Sequence, residues 1–254
     1  MDDKQELELI FGVHHVLEKL ATSPEEVLEV LVAATLRGPT LQRIEESARR
    51  CGCPLGRING ATLAELTGHS RHQGVAAKVA PFRYGSFQKL LDRLKSTEPC
   101  CVVFLDGLTD PRNFGSILRT SEAMGISDVV IPKDRASGVT PTVIKTSAGA
   151  AHNVRVYRVS NLARSLLAVR DQGLWIIGLH PAAGQLLSAT DLPARLAVVL
   201  GAEGPGIRPL VRSKCDHLVS LPMLGKVASM NVGVAWGMFA YELIRQRSAD
   251  PATC

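Results

Sequence analysis

Over the first fifty residues apolar positions recur at helical spacing, merge into an unbroken run and then return to helical spacing. The pattern predicts an amphipathic helix through Val13–Leu20, a strand over Val27–Ala34 and a helix over Leu41–Arg50, where Leu41, Ile44 and Ala48 share one side and Cys51-Gly52 ends the element. A strand near Leu55–Ile58, a helix at Ala61–Leu66 and a strand at Gly74–Val79 complete an α/β unit of residues 1–80 with no catalytic constellation. Residues 81–99 mix Pro, Gly, Ser and charges around one helix at 87–94 and read as a connector. Beyond it the pattern changes: CVVFL (101–105), DVVIP (128–132), LWIIGL (174–179) and LAVVLG (196–201) are continuous apolar runs separated by helical segments. Strands covered on both faces of a parallel sheet carry such runs, so residues 100–254 read as a second α/β domain. A last helix, about 231–247, aligns Val232, Ala235, Trp236, Phe239 and Leu243 in a stripe suited to a core or a dimer interface.

The 254 residues, 46% hydrophobic and 21% charged, fit one large or two modest folded domains and argue against wholesale disorder. No apolar run approaches the ~20 residues that span a bilayer, and the acidic start MDDKQELELIFG is unlike a signal or transit peptide; the expected location is cytoplasmic, with no membrane partner. Cysteines at 51, 53, 100, 101, 215 and 254 form no C-x-x-C pair and have no His at ligand spacing. Reduced thiols packing as small hydrophobes are expected, and no metal. The net charge of +5 is unevenly spread, with 9 Lys/Arg against 11 Asp/Glu in residues 1–80 and 20 against 13 in residues 81–254. A basic second domain suits a polyanionic partner without identifying one.

Three segments of that domain carry candidate chemistry. In DGLTDPRNFGSILRTSEAMG (106–125) a loop leaves a strand, and Asn113 is placed to cap a helix that ends at Gly125. With Ile117, Leu118, Ser121 and Met124 toward the core, Arg119 shares another face with Gly115, Ser116, Glu122 and Ala123. A ligand can approach over those small residues, and Arg119 is equally placed to pair with Glu122 at i,i+3. In LAVVLGAEGPGIRPLV (196–211) glycines at 201, 204 and 206 let backbone approach a ligand, but neither the dinucleotide fingerprint nor the P-loop is matched. Glu203 is the polar anchor of this loop or a solvated turn carboxylate. In the segment 220–247 the apolar Leu221, Pro222 and Met223 precede a Gly-containing loop, then Ser229 and Asn231, either of which can cap the last helix.

Together DGLTDPRNFGSILRTSEAMG, VVLGAEGPGIR and LPMLGKVASMNVGVAWG resemble, in order and spacing, the motifs of the SpoU (TrmH-type) RNA ribose 2'-O-methyltransferases of the SPOUT superfamily. The intervening VIPKDRASGVTPTVIKTSAGAAHNVRVYRVSNLARSL resembles the branch that methylates a guanosine ribose in bacterial large-subunit ribosomal RNA. FGVHHVLEKL and HQGVAAKV resemble that branch's L30e-like amino-terminal domain. The resemblance implies an α/β fold whose parallel sheet ends in a deep carboxy-terminal trefoil knot, where periodicity and general topology alone predict an open doubly wound sheet. It implies S-adenosylmethionine as cofactor, held at Leu200, Gly201, Ala202, Leu221, Met230 and Asn231, and catalytic-site positions at Asn113, Arg119, Glu203, Ser229 and Asn231. It also implies a homodimer acting on ribosomal RNA, recognised through residues 1–80. Ala228 and Gly233 stand where relatives often carry Ser, and Met230 where Leu is usual.

Methyl transfer from a sulfonium is an in-line displacement that needs alignment and no metal. Arginine remains protonated in proteins, so Arg119 is expected to grip a neighbouring phosphate and stabilise the developing alkoxide, with a base role as the alternative. A carboxylate is a weak base at neutral pH, so Glu203 is expected to anchor the loop or the nucleotide. Two other readings stand beside this one: a tRNA ribose methyltransferase, and a non-catalytic RNA-binding or ribosome-assembly protein of the same fold. The complete set of Asn113, Arg119 and Glu203 favours an enzyme.

Overall fold

The computed structural model describes residues 8–69, 71–227 and 229–249, and the chain divides into two compact units, residues 1–83 and 84–254. The first unit runs β1 (Glu8–Phe11), α1 (Val13–Thr22), β2 (Val27–Ala33), α2 (Pro39–Arg50), β3 (Leu55–Ile58), α3 (Gly60–Thr67) and β4 (Val75–Val79). Its four-stranded sheet has the order β1-β4-β2-β3, with β4 antiparallel to both neighbours and β2 parallel to β3. Alternation along β2 divides the core, since Val30 and Val32 join Val16, Leu20 and Ile44, whereas Leu31 joins Leu63 and Ala76. The helices expected from periodicity are all present. β1 escapes that reading because four residues carry too little pattern; only pairing with β4, Leu9 opposite Lys78, defines it.

The second unit contains α4 (Phe87–Arg93), β5 (Cys100–Asp106), α5 (Pro111–Ala123), β6 (Asp128–Pro132), α6 (Pro141–Thr146), β7 (Arg155–Val159), α7 (Leu162–Arg170), β8 (Trp175–Leu179), β9 (Gln185–Leu186), β10 (Arg195–Gly201), α8 (Pro209–Arg212), β11 (His217–Ser220) and α9 (Val232–Ala249). Seven strands form one sheet in the order β7-β6-β5-β10-β8-β11-β9, every pairing parallel. The four apolar runs supply β5, β6, β8 and β10, and the three strands without such runs lie at or near the sheet's edges. At β7 the exposed Arg155 and Arg158 interrupt the apolar pattern, as an edge strand allows. Leu90 and Leu94 are buried in this unit's core, so the helix inside the expected connector packs onto the second unit.

Val102, Phe104, Val130 and Val199 meet Leu90, Leu166 and Val211 on one face of the sheet. On the other, α9 packs against α5. Trp236 and Phe239 are fully buried, and the Trp236 indole Nε1 donates to Ser121 Oγ at 3.1 Å, which satisfies the polar atom that an otherwise apolar ring brings into a core. The stripe Val232, Trp236, Phe239 and Leu243 is therefore core. The start of α5 corrects an expectation: Asp110, not Asn113, caps it, accepting from Arg112 N at 2.8 Å with Pro111 in the first turn. Asn113 is thereby released for another role. No helix among the described residues is long and apolar enough to cross a membrane.

Candidate active site

β5 and β10 run in register from Cys100 opposite Arg195 to Asp106 opposite Gly201, so the first two chemical segments leave the sheet side by side. The loop after β10 folds back on itself: Gly206 N donates to Ala202 O at 3.0 Å, and Gly206 takes φ +68°, a conformation that disfavours side chains. A Cβ on Gly201 would lie 2.1 Å from the carbonyl carbon of Gly206 and 2.2 Å from Ile207 N, so the loop closes only over a glycine. Asp106, wholly buried, fastens the far end of the loop by accepting from Arg208 N at 2.8 Å and Arg208 Nε at 2.7 Å. Asp106 and Arg208 are 102 positions apart, and nothing in the local pattern of either marks the pair.

The third segment joins the other two through Asn231. Its Oδ1 accepts from Gly233 N at 2.9 Å and Val234 N at 3.3 Å, so Asn231 and not Ser229 caps α9. Its Nδ2 donates to Asn113 Oδ1 and to Glu203 Oε1, each at 2.8 Å. An amide has two donors and one oxygen able to accept twice, so this side chain is fully used in bracketing the three segments.

Beside the bracket opens a cleft of about 670 Å³. Leu200, Gly201, Ala202, Leu221 and Met230 line it, together with Glu203 and Ser229. Asn113 and Asn231 stand next to the cleft as its bracket. Sequence reasoning missed the wall contributed by Leu179, His180 and Pro181 at the end of β8. The carboxyl ends of parallel strands are where such folds bind ligands, and that rule was the available signal. Ala182 N donates to His180 Nδ1 at 3.2 Å, so in the neutral ring the proton sits on Nε2.

Arg119 is exposed on α5, does not line the cleft, and makes no side-chain hydrogen bond or ion pair among the described residues; Glu122 instead accepts from Asn153 Nδ2 at 3.4 Å. Gly115 is buried, and a Cβ there would meet Thr146 of α6 at 1.9 Å, so its smallness serves helix packing rather than ligand approach. At Gly233 a Cβ would fall 2.8 Å from Ser116 Oγ, whose hydroxyl fills the space of the missing side chain. Ala228 lies outside the described residues. Burial pushes the Cys101 and Cys215 thiols up to about 12, in keeping with thiols packed as small hydrophobes.

A parallel α/β sheet with a glycine-loop cleft at its carboxyl edge and an Asn-Asn-Glu bracket beside it defines a ligand-binding α/β protein. Residues 100–241 match the SpoU rRNA methylase family, and residues 9–85 match the RNA 2'-O ribose methyltransferase substrate-binding family. The chain is 43% identical over 239 residues to the 23S rRNA (guanosine-2'-O-)-methyltransferase of Xanthomonas campestris, covering 94% of this chain and 96% of that one. It is 37% identical over 241 residues to the enzyme of the same name from Escherichia coli, covering 95% and 99%. In fold it is similar to the SpoU methyltransferase AviRb of Streptomyces viridochromogenes, solved with AdoMet, at TM-score 0.69 and 24% identity over 96% of this chain and 91% of that one. The chain belongs to the SpoU rRNA methylase family.

Proposed function

We propose that the protein transfers a methyl group from S-adenosylmethionine to the ribose 2'-oxygen of a guanosine in large-subunit ribosomal RNA. The observation that carries this reading is the bracket in which Asn231 ties Asn113 and Glu203 together at the wall of the cleft. The cleft fits the cofactor. Leu179, Leu200, Leu221 and Met230 offer an apolar wall, beside which Glu203 and Ser229 are the polar groups. Glu203 brings a carboxylate to a ligand that carries positive charge, and among the described residues 223–227, 229 and 230 make no backbone–backbone hydrogen bond, which leaves peptide groups for a purine edge. When bound, the cofactor supplies an electrophilic methyl on a sulfonium.

The chain's part is to hold and align. The Gly201–Gly206 turn with Leu221, Met223, Ser229 and Met230 forms the walls, and Asn231 keeps Glu203 facing the cleft while holding α9 against α5. Arg119, with its guanidinium free, is assigned to the phosphate beside the target ribose, where it stabilises the oxygen as the proton leaves. The trefoil knot belongs to the same proposal, supported by the convergence of the Gly201–Gly206 turn with Leu221, Met223, Ser229 and Met230 on one cleft. So do an RNA-recognition role for the first unit, supported by the family match of residues 9–85, and action in the cytoplasm, where ribosomal RNA is made. The partner is a second copy of the chain. Val234, Met238 and Tyr241 on the outer face of α9 are exposed and, with Leu187, Leu221 and Pro222, line a separate apolar cleft of about 890 Å³. Soluble monomers rarely leave such a contiguous patch uncovered. Mapping 2'-O-methylation in RNA from a deletion strain tests the reading: one missing methyl on a large-subunit guanosine is expected, and a methyl lost from tRNA, or none lost, overturns it.

A further inference from the structure

At the same carboxyl edge of the sheet, but on the α7 and α8 side, lies a second cleft of about 990 Å³. Arg135, Arg208, Ser160 and Asn161 line it, with Leu210, 63% exposed, among its walls. Its free polar groups are nearly all donors. Asn161 Oδ1 is occupied, accepting from Arg164 N at 3.0 Å as the cap of α7, which leaves its Nδ2 to donate. The first-turn N–H groups of Leu162 and Ala163, which also line the cleft, have no intrahelical partner. Arg208 is gripped through N, Nε and Nη2 by the buried Asp106, a hold that fixes the guanidinium while leaving Nη1 to donate. Arg135 carries no hydrogen bond or ion pair among the described residues, and it sits at φ +55°, a conformation that costs an L side chain on the order of 1 kcal/mol. Asp134 is the single acidic side chain on the lining, and Lys133 and Arg164 flank the cleft in sequence.

A lining of donors seeks a ligand rich in acceptors. Asp106, which holds Arg208, pairs across the sheet with Gly201 of the cofactor cleft, so the two clefts share one anchor. We infer that this cleft is a subsite for a phosphodiester of the RNA strand near the target ribose, with Arg135 and Arg208 as its donors and Leu210 as an apolar wall for a neighbouring base. The inference rests on the proposed ribosomal RNA substrate. It adds a place where the strand is held that none of the three motif segments contains in full, because Arg135, Ser160 and Asn161 lie between them.

The test is filter binding of the full-length protein to deproteinised 23S rRNA from a deletion strain, across a salt series, for the parent, Arg135→Gln, Arg135→Glu and Arg135→Lys. Loss of one charged hydrogen-bonding contact should weaken Arg135→Gln about tenfold and lower the magnitude of the salt slope by about 1. Arg135→Glu should weaken it further, and Arg135→Lys should keep the slope while losing affinity, because charge remains and the planar fork does not. Calorimetric affinity for S-adenosylmethionine reports whether each variant keeps its fold. If the parent methylates the RNA and Arg135→Gln and Arg135→Glu bind with parental affinity and slope, the subsite is wrong and the function stands. If the parent neither binds nor methylates the RNA, both are wrong.

Discussion

Asn231 shows how much one side chain can carry. All of its hydrogen-bonding capacity is used: two backbone donors of α9, the Asn113 oxygen and the Glu203 carboxylate. Asn231→Asp keeps the shape and the cap but places an acceptor against two acceptors, one of them charged. Cofactor affinity, followed by calorimetry, should fall at least about tenfold at pH 8, since a charge-assisted hydrogen bond contributes roughly 1.5–3 kcal/mol. Like charges a hydrogen bond apart favour protonation of one of them, and a protonated carboxyl can donate again, so affinity should recover as the pH falls toward 5. A flat pH profile would show that the bracket does not govern the cleft. Arg119 is the opposite case, a cation that holds no partner among the described residues. Arg119→Ala and Arg119→Lys should each lose about 10²–10³ in single-turnover methyl transfer, the usual effect of removing one transition-state contact, with little change in cofactor affinity. Near-parental turnover in Arg119→Ala would leave the exposed arginine without a role in the reaction.

At the level of elements, the sequence announces what is decided locally and conceals what is decided by partners. β5, β6, β8 and β10 are buried on both faces, and their unbroken apolar runs say so. β1, β9 and β11 have two to four residues each and exist through their neighbours. The candidate residues were legible because their motifs are contiguous, whereas the Asp106–Arg208 anchor and His180 reach the site through tertiary pairing alone. The Gly201 turn is the element on which the cleft depends. Gly201→Ala requires the backbone at Gly206 and Ile207 to retreat by more than about 1 Å to reach ordinary contact, and interiors packed at crystal-like density resist such shifts. Calorimetry should find cofactor binding abolished while the far-UV spectrum is retained; parental affinity would mean the loop is softer than its packing. Thiols test the sheet independently. Cys101 on β5 and Cys215 before β11, both pushed up to about 12, stay protonated at pH 8 and should resist a disulfide reagent until the protein unfolds. Among the cysteines of the described residues, the exposed Cys51 should react first.

At the scale of the whole molecule the chain forms two units, each with a core of its own. Every bracket and cleft residue lies beyond residue 100, whereas the first unit has a core of its own and a less basic composition. Removing residues 1–83 should therefore leave calorimetric cofactor binding largely intact and sharply reduce methylation of ribosomal RNA; equal methylation would remove the first unit from recognition. Assembly as a dimer, which the family resemblance implies, needs a surface other than the stripe that the sequence left open between core and interface. The stripe of Trp236 and Phe239 that suggested an interface is spent on the core of a single chain. The surface proposed for a second copy is the opposite side of α9, where Tyr241 is 62% exposed and Met238 41%. A two-fold axis through such a patch buries the same residues of both copies, so one substitution acts twice. Met238→Asp with Tyr241→Asp places four carboxylates in that interface while touching neither the core side of α9 nor the cofactor cleft. Light scattering at micromolar concentration should give about twice the 27.3 kDa chain mass for the parent and the single-chain mass for the double variant, with methyl transfer lost in the latter. A parent that scatters as a single chain and methylates at full rate would show that this face meets something other than its own copy.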